Sequence, residues 1–332
     1  MRPSVLATRA TFPDIAVRLR QHFDVEDNPA DEIWNRDELV RRLQGKQGVM
    51  STGSERIDAE LLDACPQLKA VCNVGVGYNN IDVAACTTRG VLVTNTPDVL
   101  TETTADYGFA LMMATARRIA ESERFVRQGE WRKTGIYDMF AGGDVYGATL
   151  GILGMGRIGR AIARRGALGF GMQVIYHNRS RLPADLEAET GARYVDKATL
   201  LGESDHLILV LPYSPDSHHA IGAAELAQMK PQATLTNIAR GGIVDDAALA
   251  HALRAGTIAA AGLDVFEGEP AIHPDLLAVP NIVLTPHIGS ASVKTRHAMA
   301  TLTIDNLIAA LGFGPQAGRP PTPVNLEALG AR

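Results

Sequence analysis

Three side chains in the second half of the chain stand where they could serve one reaction. Arg240 follows the apolar run Thr234-Leu235-Thr236-Asn237-Ile238-Ala239. Glu269 closes the stretch Asp264-Val265-Phe266-Glu267-Gly268-Glu269 that follows residues 258–263, and His287 follows Ile282-Val283-Leu284-Thr285-Pro286. Reducing a 2-keto acid needs a hydride at the carbonyl carbon, a proton for the carbonyl oxygen and a cation for the carboxylate. A guanidinium offers carboxylate and carbonyl a fixed fork of donors. Imidazole exchanges a proton near neutral pH. A carboxylate beside the imidazole orients the ring and favours its charged form. Singly, each has an ordinary reading: a surface ion pair for Arg240, a loop acid for Glu269, a turn residue for His287. Their arrival at the ends of three successive strands favours the joint reading, with Asp264 helping to hold the network.

A hydride must come from somewhere, and the chain carries a candidate cradle for its donor. The segment Thr149-Leu150-Gly151-Ile152-Leu153-Gly154-Met155-Gly156-Arg157-Ile158-Gly159-Arg160 reads as strand, glycine turn and helix start. In such a turn the first glycine bends the chain and the second lets a pyrophosphate approach. The third admits close helix–strand packing, and the helix N-terminus faces the anion. Alone, G-x-G-x-x-G is a weak signal; a strand before it and a helix after it make a dinucleotide site the better reading. The next strand ends Tyr176-His177-Asn178-Arg179-Ser180-Arg181, with no acid before Asp185 to hold a ribose 2′-hydroxyl. Arg179, Ser180 and Arg181 suit a 2′-phosphate instead, so NADPH is favoured and NADH is the alternative. The competing reading is a solvated basic loop.

The elements that must position these residues alternate along the chain. Strands are expected at 5–7, 71–73, 91–93, 149–153, 173–176, 207–211, 234–237, 258–263 and 282–284, with helical patterns between most of them, the mark of parallel α/β architecture. The glycine turn opens halfway along the chain, so a first domain must precede it. The apolar helical stretch 101–126, which Thr101 can cap, and a helix near 291–311 are read as crossings between domains, the C-terminal segment returning to the first. This gives 1–100 plus 290–332 as a substrate-binding domain and 101–289 as an NAD(P)-binding domain.

Composition narrows the class. The 332 residues are 46% hydrophobic and 21% charged, ordinary for a globular protein. A net charge of −5 argues against a nucleic-acid partner. Cys65, Cys72 and Cys86 have neither disulfide-framework nor zinc-site spacing, and no apolar run suggests a leader or membrane span. A cytoplasmic enzyme with no metal is the expectation.

Further blocks of sequence carry a resemblance. Val76-Gly77-Tyr78-Asn79-Asn80-Ile81-Asp82, Thr96-Pro97-Asp98-Val99-Leu100-Thr101-Glu102, the glycine motif, Asn237-Ile238-Ala239-Arg240-Gly241, Ala261-Gly262-Leu263-Asp264-Val265-Phe266-Glu267 with Glu269-Pro270, and Pro286-His287-Ile288-Gly289-Ser290-Ala291 occur in order. Together they resemble the D-isomer-specific 2-hydroxyacid dehydrogenase family over nearly the whole chain, and within it the bacterial glyoxylate/hydroxypyruvate reductase group. The resemblance implies two Rossmann-like domains, one flavodoxin-like and one NAD(P)-binding, and reduction of glyoxylate, hydroxypyruvate or 2-keto-D-gluconate. It implies Arg240 as substrate anchor, Glu269 paired with His287, His287 as acid/base, and backbone groups of Val76 and Gly77 on the substrate carboxylate. It implies cofactor contacts at Thr104, Gly154, Gly156, Arg157, Ile158, Gly159, Asn178, Arg179, Ser180, Arg181, Leu211, Pro212, Ile238, Asp264 and Gly289, and a homodimer joined largely through the nucleotide-binding domains. Two departures stand out. Asn79 replaces a common Asp, and Asp138-Met139-Phe140 falls where the reductase group carries an Asp-Trp pair near the substrate. The competing readings are another member, such as a phosphoglycerate dehydrogenase, and a non-enzymatic dinucleotide-sensing corepressor on the same fold.

Overall fold

The computed structural model describes residues 2–137 and 139–329. The chain forms two compact units, Met1–Leu100 with Ala291–Arg332 and Thr101–Ser290.

The first unit holds five strands: β1 (Ser4–Ala7), β2 (Asp24–Glu26), β3 (Gly48–Ser51), β4 (Ala70–Asn73) and β5 (Leu92–Thr94). They pair in parallel in the order β2-β1-β3-β4-β5, the flavodoxin-like order. Parallel strands covered on both faces read as continuous apolar runs, and their alternation sends side chains to two cores. Leu6, Val49, Val71 and Val93 meet Leu39, Leu43, Leu61 and Leu62 on one face. Val5, Cys72 and Leu92 meet Ile15, Leu19, Ile304 and Leu307 on the other. The last of these residues come from the helix Val293–Ala310, which Ser292 caps by accepting from the Thr295 N–H. The chain after it adds Asn325, buried beside β5, whose Oδ1 accepts from Val93 N at 2.7 Å and whose Nδ2 donates to Val91 O at 3.0 Å. All three cysteines lie in this unit, free and buried.

The second unit holds β6 (Thr149–Leu153), β7 (Gln173–His177), β8 (Arg193–Tyr194), β9 (His206–Leu209), β10 (Thr234–Asn237), β11 (Ala260–Leu263) and β12 (Ile282–Leu284). All pairings are parallel, in the order β12-β11-β10-β9-β6-β7-β8. The order reverses between β6 and β9, so a switch point opens at the carboxyl ends of those strands, where ligands of such sheets bind. Leu207 and Leu209 enter one core and Ile208 the other. His206 is buried within β9 and satisfied at both nitrogens, by Thr234 Oγ1 at 2.8 Å and Asp144 O at 3.0 Å.

The expected strands at 149–153, 234–237 and 282–284 appear with those bounds. The expected helix over 101–126 is two helices, Thr101–Ala116 and Ile119–Arg127, because Arg118 takes a left-handed φ of +53° that interrupts the ladder. Its first part packs hard on the sheet: a Cβ on Gly108 would lie 2.5 Å from Ile238 Cδ1. Among the described residues no helix is long and apolar enough to cross a membrane.

Candidate active site

Register aligns the strand ends of the second unit. His177, Leu153, Leu209, Asn237, Leu263 and Leu284 pair in one row across β7, β6, β9, β10, β11 and β12. Whatever follows these residues therefore leaves the sheet along one edge.

At the β6 end the glycines divide their work. Gly154 has φ +104°, and a Cβ there would lie 2.7 Å from Leu211 N, so the turn is pressed against the chain leaving β9. A Cβ on Gly159 would meet Gly154 O at 2.4 Å. Both positions require glycine for internal packing. Gly156, the N-cap of the helix Arg157–Arg164, has nothing within 4 Å of its missing Cβ. Open space thus faces a helix N-terminus, as a pyrophosphate needs. Asn178 Oδ1 accepts from Met155 N at 2.7 Å and ties the turn to the β7 end. Thr104 is buried with an unpartnered Oγ1, and its methyl faces the α-carbon of Gly289. Buried hydroxyls normally find partners, so both the open glycine and the orphaned hydroxyl fit a dinucleotide. Leu211, Pro212 and Ile238 follow β9 and β10 along the same edge, and Ile158 packs in the core that includes Ile238.

Beyond β7 the two arginines differ. Arg181 donates to both oxygens of Glu187, at 2.9 and 2.8 Å, and the Tyr176 hydroxyl donates to the same carboxylate at 2.7 Å. The Arg181 hydrogen bond holds the Glu187 carboxyl below its usual value. Arg179 and Ser180 are exposed, and Arg179 has no hydrogen-bond or ion-pair partner among the described residues.

The polar residues expected to do chemistry come together. His287 Nδ1 lies 2.7 Å from Glu269 Oε2, while Glu269 Oε1 accepts from Phe266 N at 2.9 Å. Burial opposes ionisation of Glu269, but the hydrogen bond and charge of His287, with Phe266 N and Arg240, hold its carboxyl below the ordinary value. Burial lowers the Arg240 guanidinium from its usual value, and the charge of Glu269 opposes that shift. A Cβ on Gly241 would lie 1.7 Å from Phe266 O, so the chain leaving Arg240 runs directly against the loop carrying Glu269.

Asp264 is the anchor of the His287 turn. Its Oδ1 accepts from Ile288 N at 2.9 Å and Thr285 Oγ1 at 2.8 Å, and its Oδ2 from Gly289 N at 2.8 Å. Its carbonyl accepts from His287 N at 2.9 Å. Tyr107 and Thr285 join it and are absent from the expected set. Burial pushes the Tyr107 phenol up to about 12, and its hydroxyl meets Thr285 and Asp264. Only the helical spacing of Tyr107 to Thr104 hinted at this in the sequence.

Other expectations fall elsewhere. Val76 and Gly77 occupy the loop after β4 in the first unit. Phe140 packs against the helix Ile119–Arg127, its ring 5.2 Å from that of Phe125 with the Arg118 guanidinium 5.2 Å away; Met139 is half-buried beside it and Asp138 lies outside the described residues. His218 and His219 stack at 3.9 Å, with His219 Nε2 3.0 Å from Glu267, an acid–base pair apart from the Glu269–His287 couple.

Residues 109–289 match the family model described as D-isomer specific 2-hydroxyacid dehydrogenase, NAD binding domain. The chain belongs to the D-isomer-specific 2-hydroxyacid dehydrogenases. It is an NAD(P)-dependent oxidoreductase of that family. A glyoxylate reductase of Thermococcus onnurineus is 49% identical over 336 residues, covering 100% of this chain and 98% of the relative. A glyoxylate/hydroxypyruvate reductase B of Klebsiella pneumoniae is 46% identical, covering 94% and 96%. The crystal structure of an NADPH-dependent glyoxylate/hydroxypyruvate reductase from Sinorhizobium meliloti, in complex with NADP and malonate, aligns with TM-score 0.84 at 36% identity, covering 99% of this dehydrogenase and 98% of that chain.

Proposed function

We propose that this dehydrogenase reduces glyoxylate and hydroxypyruvate to the corresponding 2-hydroxy acids, of D configuration where the carbon is stereogenic, with NADPH preferred over NADH. The observation that carries the reading is the Glu269–His287 hydrogen bond beside the Arg240 loop, in a chain similar over its whole length to glyoxylate reductases. With Nδ1 facing Glu269, the imidazole keeps Nε2 for the substrate and holds there the proton that the carbonyl oxygen receives. Glu269, fixed through Phe266 N, orients the ring through its contact with Nδ1. Arg240 binds the keto-acid carboxylate and carbonyl oxygen, and the N–H groups of Val76 and Gly77 bind the carboxylate. Bound NADPH supplies the hydride. Its pyrophosphate would lie over Gly156 at the N-terminus before Arg157, with Thr104 as a hydroxyl partner. Its 2′-phosphate would meet Arg179 and Ser180, a role the free Arg179 supports more strongly than the Glu187-bound Arg181.

The unit of residues 1–100 with 291–332 is the substrate-binding domain in this reading and 101–290 the NAD(P)-binding domain, one residue away from the expected 290–332 and 101–289. The enzyme works in the cytoplasm, which its three unpaired cysteines support. It is a homodimer, supported by exposed Trp131, Ile136, Tyr137, Tyr146 and Leu168 on the second unit; light scattering at twice the 35.4 kDa chain mass is the expected result.

The function is tested by following oxidation of NADPH and of NADH with glyoxylate, hydroxypyruvate, 2-keto-D-gluconate and pyruvate. Fast turnover of the first two with NADPH is expected. Turnover of 2-keto-D-gluconate alone would reassign the substrate, and none with any pair would remove the reductase reading.

A further inference from the structure

The loop after β4 reads Val74-Gly75-Val76-Gly77-Tyr78, and its carbonyl groups are held one by one. Gly75 O accepts from Thr96 N at 3.0 Å and from Asn73 Nδ2 at 3.2 Å. Gly77 O accepts from the same Asn73 amide at 2.9 Å, and Val76 O from Asn95 Nδ2 at 2.8 Å. A trans peptide places the C=O of one residue and the N–H of the next on opposite sides. Fixing the carbonyls of residues 75, 76 and 77 therefore turns the N–H groups of Val76, Gly77 and Tyr78 away from the two asparagines. None of these N–H groups meets an acceptor among the described residues. Successive backbone N–H groups left without an internal partner in a turn can offer a concavity to an anion.

We propose that Asn73 and Asn95 are positioning residues that aim this run of N–H groups at the substrate carboxylate. The proposal rests on the reading of Val76 and Gly77 as carboxylate ligands. Asn73 holds two of the three carbonyls. It is 1% exposed at the end of β4, and its Oδ1 has no hydrogen-bond partner. An unsatisfied buried acceptor costs stability, so the residue is not explained as core packing. Its orientation is unambiguous, since an oxygen cannot face two carbonyls at hydrogen-bond distance. What the position gains is one amide bridging the carbonyls of Gly75 and Gly77. Asn95, two residues outside Val93, completes the set from the neighbouring strand end.

The test uses the full chain. Asn73→Ala and Asn95→Ala should each raise KM for glyoxylate by about tenfold or more and leave kcat within about threefold, since a carboxylate bound equally in ground and transition states enters KM. NADPH affinity, read by its fluorescence, should not move. Asn73→Asp should raise KM further, because its carboxylate would face the same carbonyls. A merely structural role would lower the melting temperature and the active fraction while KM stayed put. KM within twofold of the parent in both alanine variants overturns the assignment. Asn95→Ala, whose side chain is partly exposed, decides the matter if Asn73→Ala does not fold. The underlying reading is checked separately by titrating the parent enzyme with oxalate and following backbone amide NMR signals. Unmoved Val76 and Gly77 signals would remove the carboxylate site itself. Shifted signals, together with unchanged oxalate affinity in the asparagine variants, would remove only the role given to Asn73 and Asn95.

Discussion

His287 holds its backbone at φ +52°, a region that side chains other than glycine rarely enter without support. Here the support is visible: Asp264 receives the N–H groups of His287, Ile288 and Gly289 on three separate oxygens. The strain and its compensation sit at the group proposed to move a proton, where such tension is commonly found. His287→Ala should lower kcat by about 10³-fold, within the range of general acid–base contributions, while NADPH affinity stays near that of the parent; stopped-flow fluorescence and steady-state rates separate the two. Arg179→Ala should raise KM for NADPH by roughly tenfold, the loss of one charge-assisted contact, and leave NADH kinetics unchanged; equal losses with both cofactors would remove the phosphate contact. The residue types of this site were legible in the sequence because strand ends expose them in order. Their division of labour was not. Nothing in Arg179-Ser180-Arg181 says which guanidinium is taken by Glu187, since that depends on where the helix Ala184–Ala188 lands.

Among the elements, the helix Asp246–Ala255 shows how a loop near the site is held. Asp245 caps it by accepting from Ala248 N at 2.9 Å, and Asp246 accepts from Glu267 N at 3.2 Å. Burial pushes the Asp246 carboxyl up to about 6, against the pull of the Glu267 N–H. A carboxyl whose folded value exceeds its unfolded value of 3.8 favours folding only while protonated in both states. The cost therefore grows as pH rises from about 4 and is complete above about 6. Asp246→Asn keeps an acceptor for Glu267 N and should stabilise the protein by about 1–2 kcal/mol at pH 8, with the advantage gone at pH 4; urea melts at both values test this. Strand legibility follows burial in the same way. β6 and β9 are apolar runs and stand out, whereas β2 and β8 are short polar edges that gain their form only from a neighbour. β3 does not stand out in the sequence either: it begins with Gly48, where a Cβ would lie 2.7 Å from Leu307, a contact with a helix some 260 residues later in the sequence.

On the scale of the whole chain, the first unit is closed by its own far end. Asn325 reaches back 232 residues to Val93, and Val324 N donates to Val93 O at 2.8 Å. Asn325→Ala would leave a buried N–H and a buried carbonyl without partners, and should cost about 3 kcal/mol while kcat at 25 °C is retained; thermal unfolding with parallel rate measurements checks both. The alternation of strand and helix made two parallel sheets readable, and the mid-chain glycine turn showed that a unit must precede it. The stitching by Asn325 and the pinning by Asn73 were not readable, since each joins residues whose proximity the fold alone creates.

The placement of the cysteines has a practical consequence. Cys65, Cys72 and Cys86 all belong to the first unit, and burial raises the Cys65 thiol and pushes those of Cys72 and Cys86 up to about 12. Protonated and enclosed, they should be silent toward alkylating reagents in the native enzyme. Labelling can then proceed only through opening of that unit, and at high reagent concentration its rate becomes the opening rate itself. The protein thus carries a built-in chemical clock for one half of its structure. Mass spectrometry of timed iodoacetamide labelling would read it without any engineered probe, and rapid modification of all three thiols under native conditions would show that half to be loosely closed.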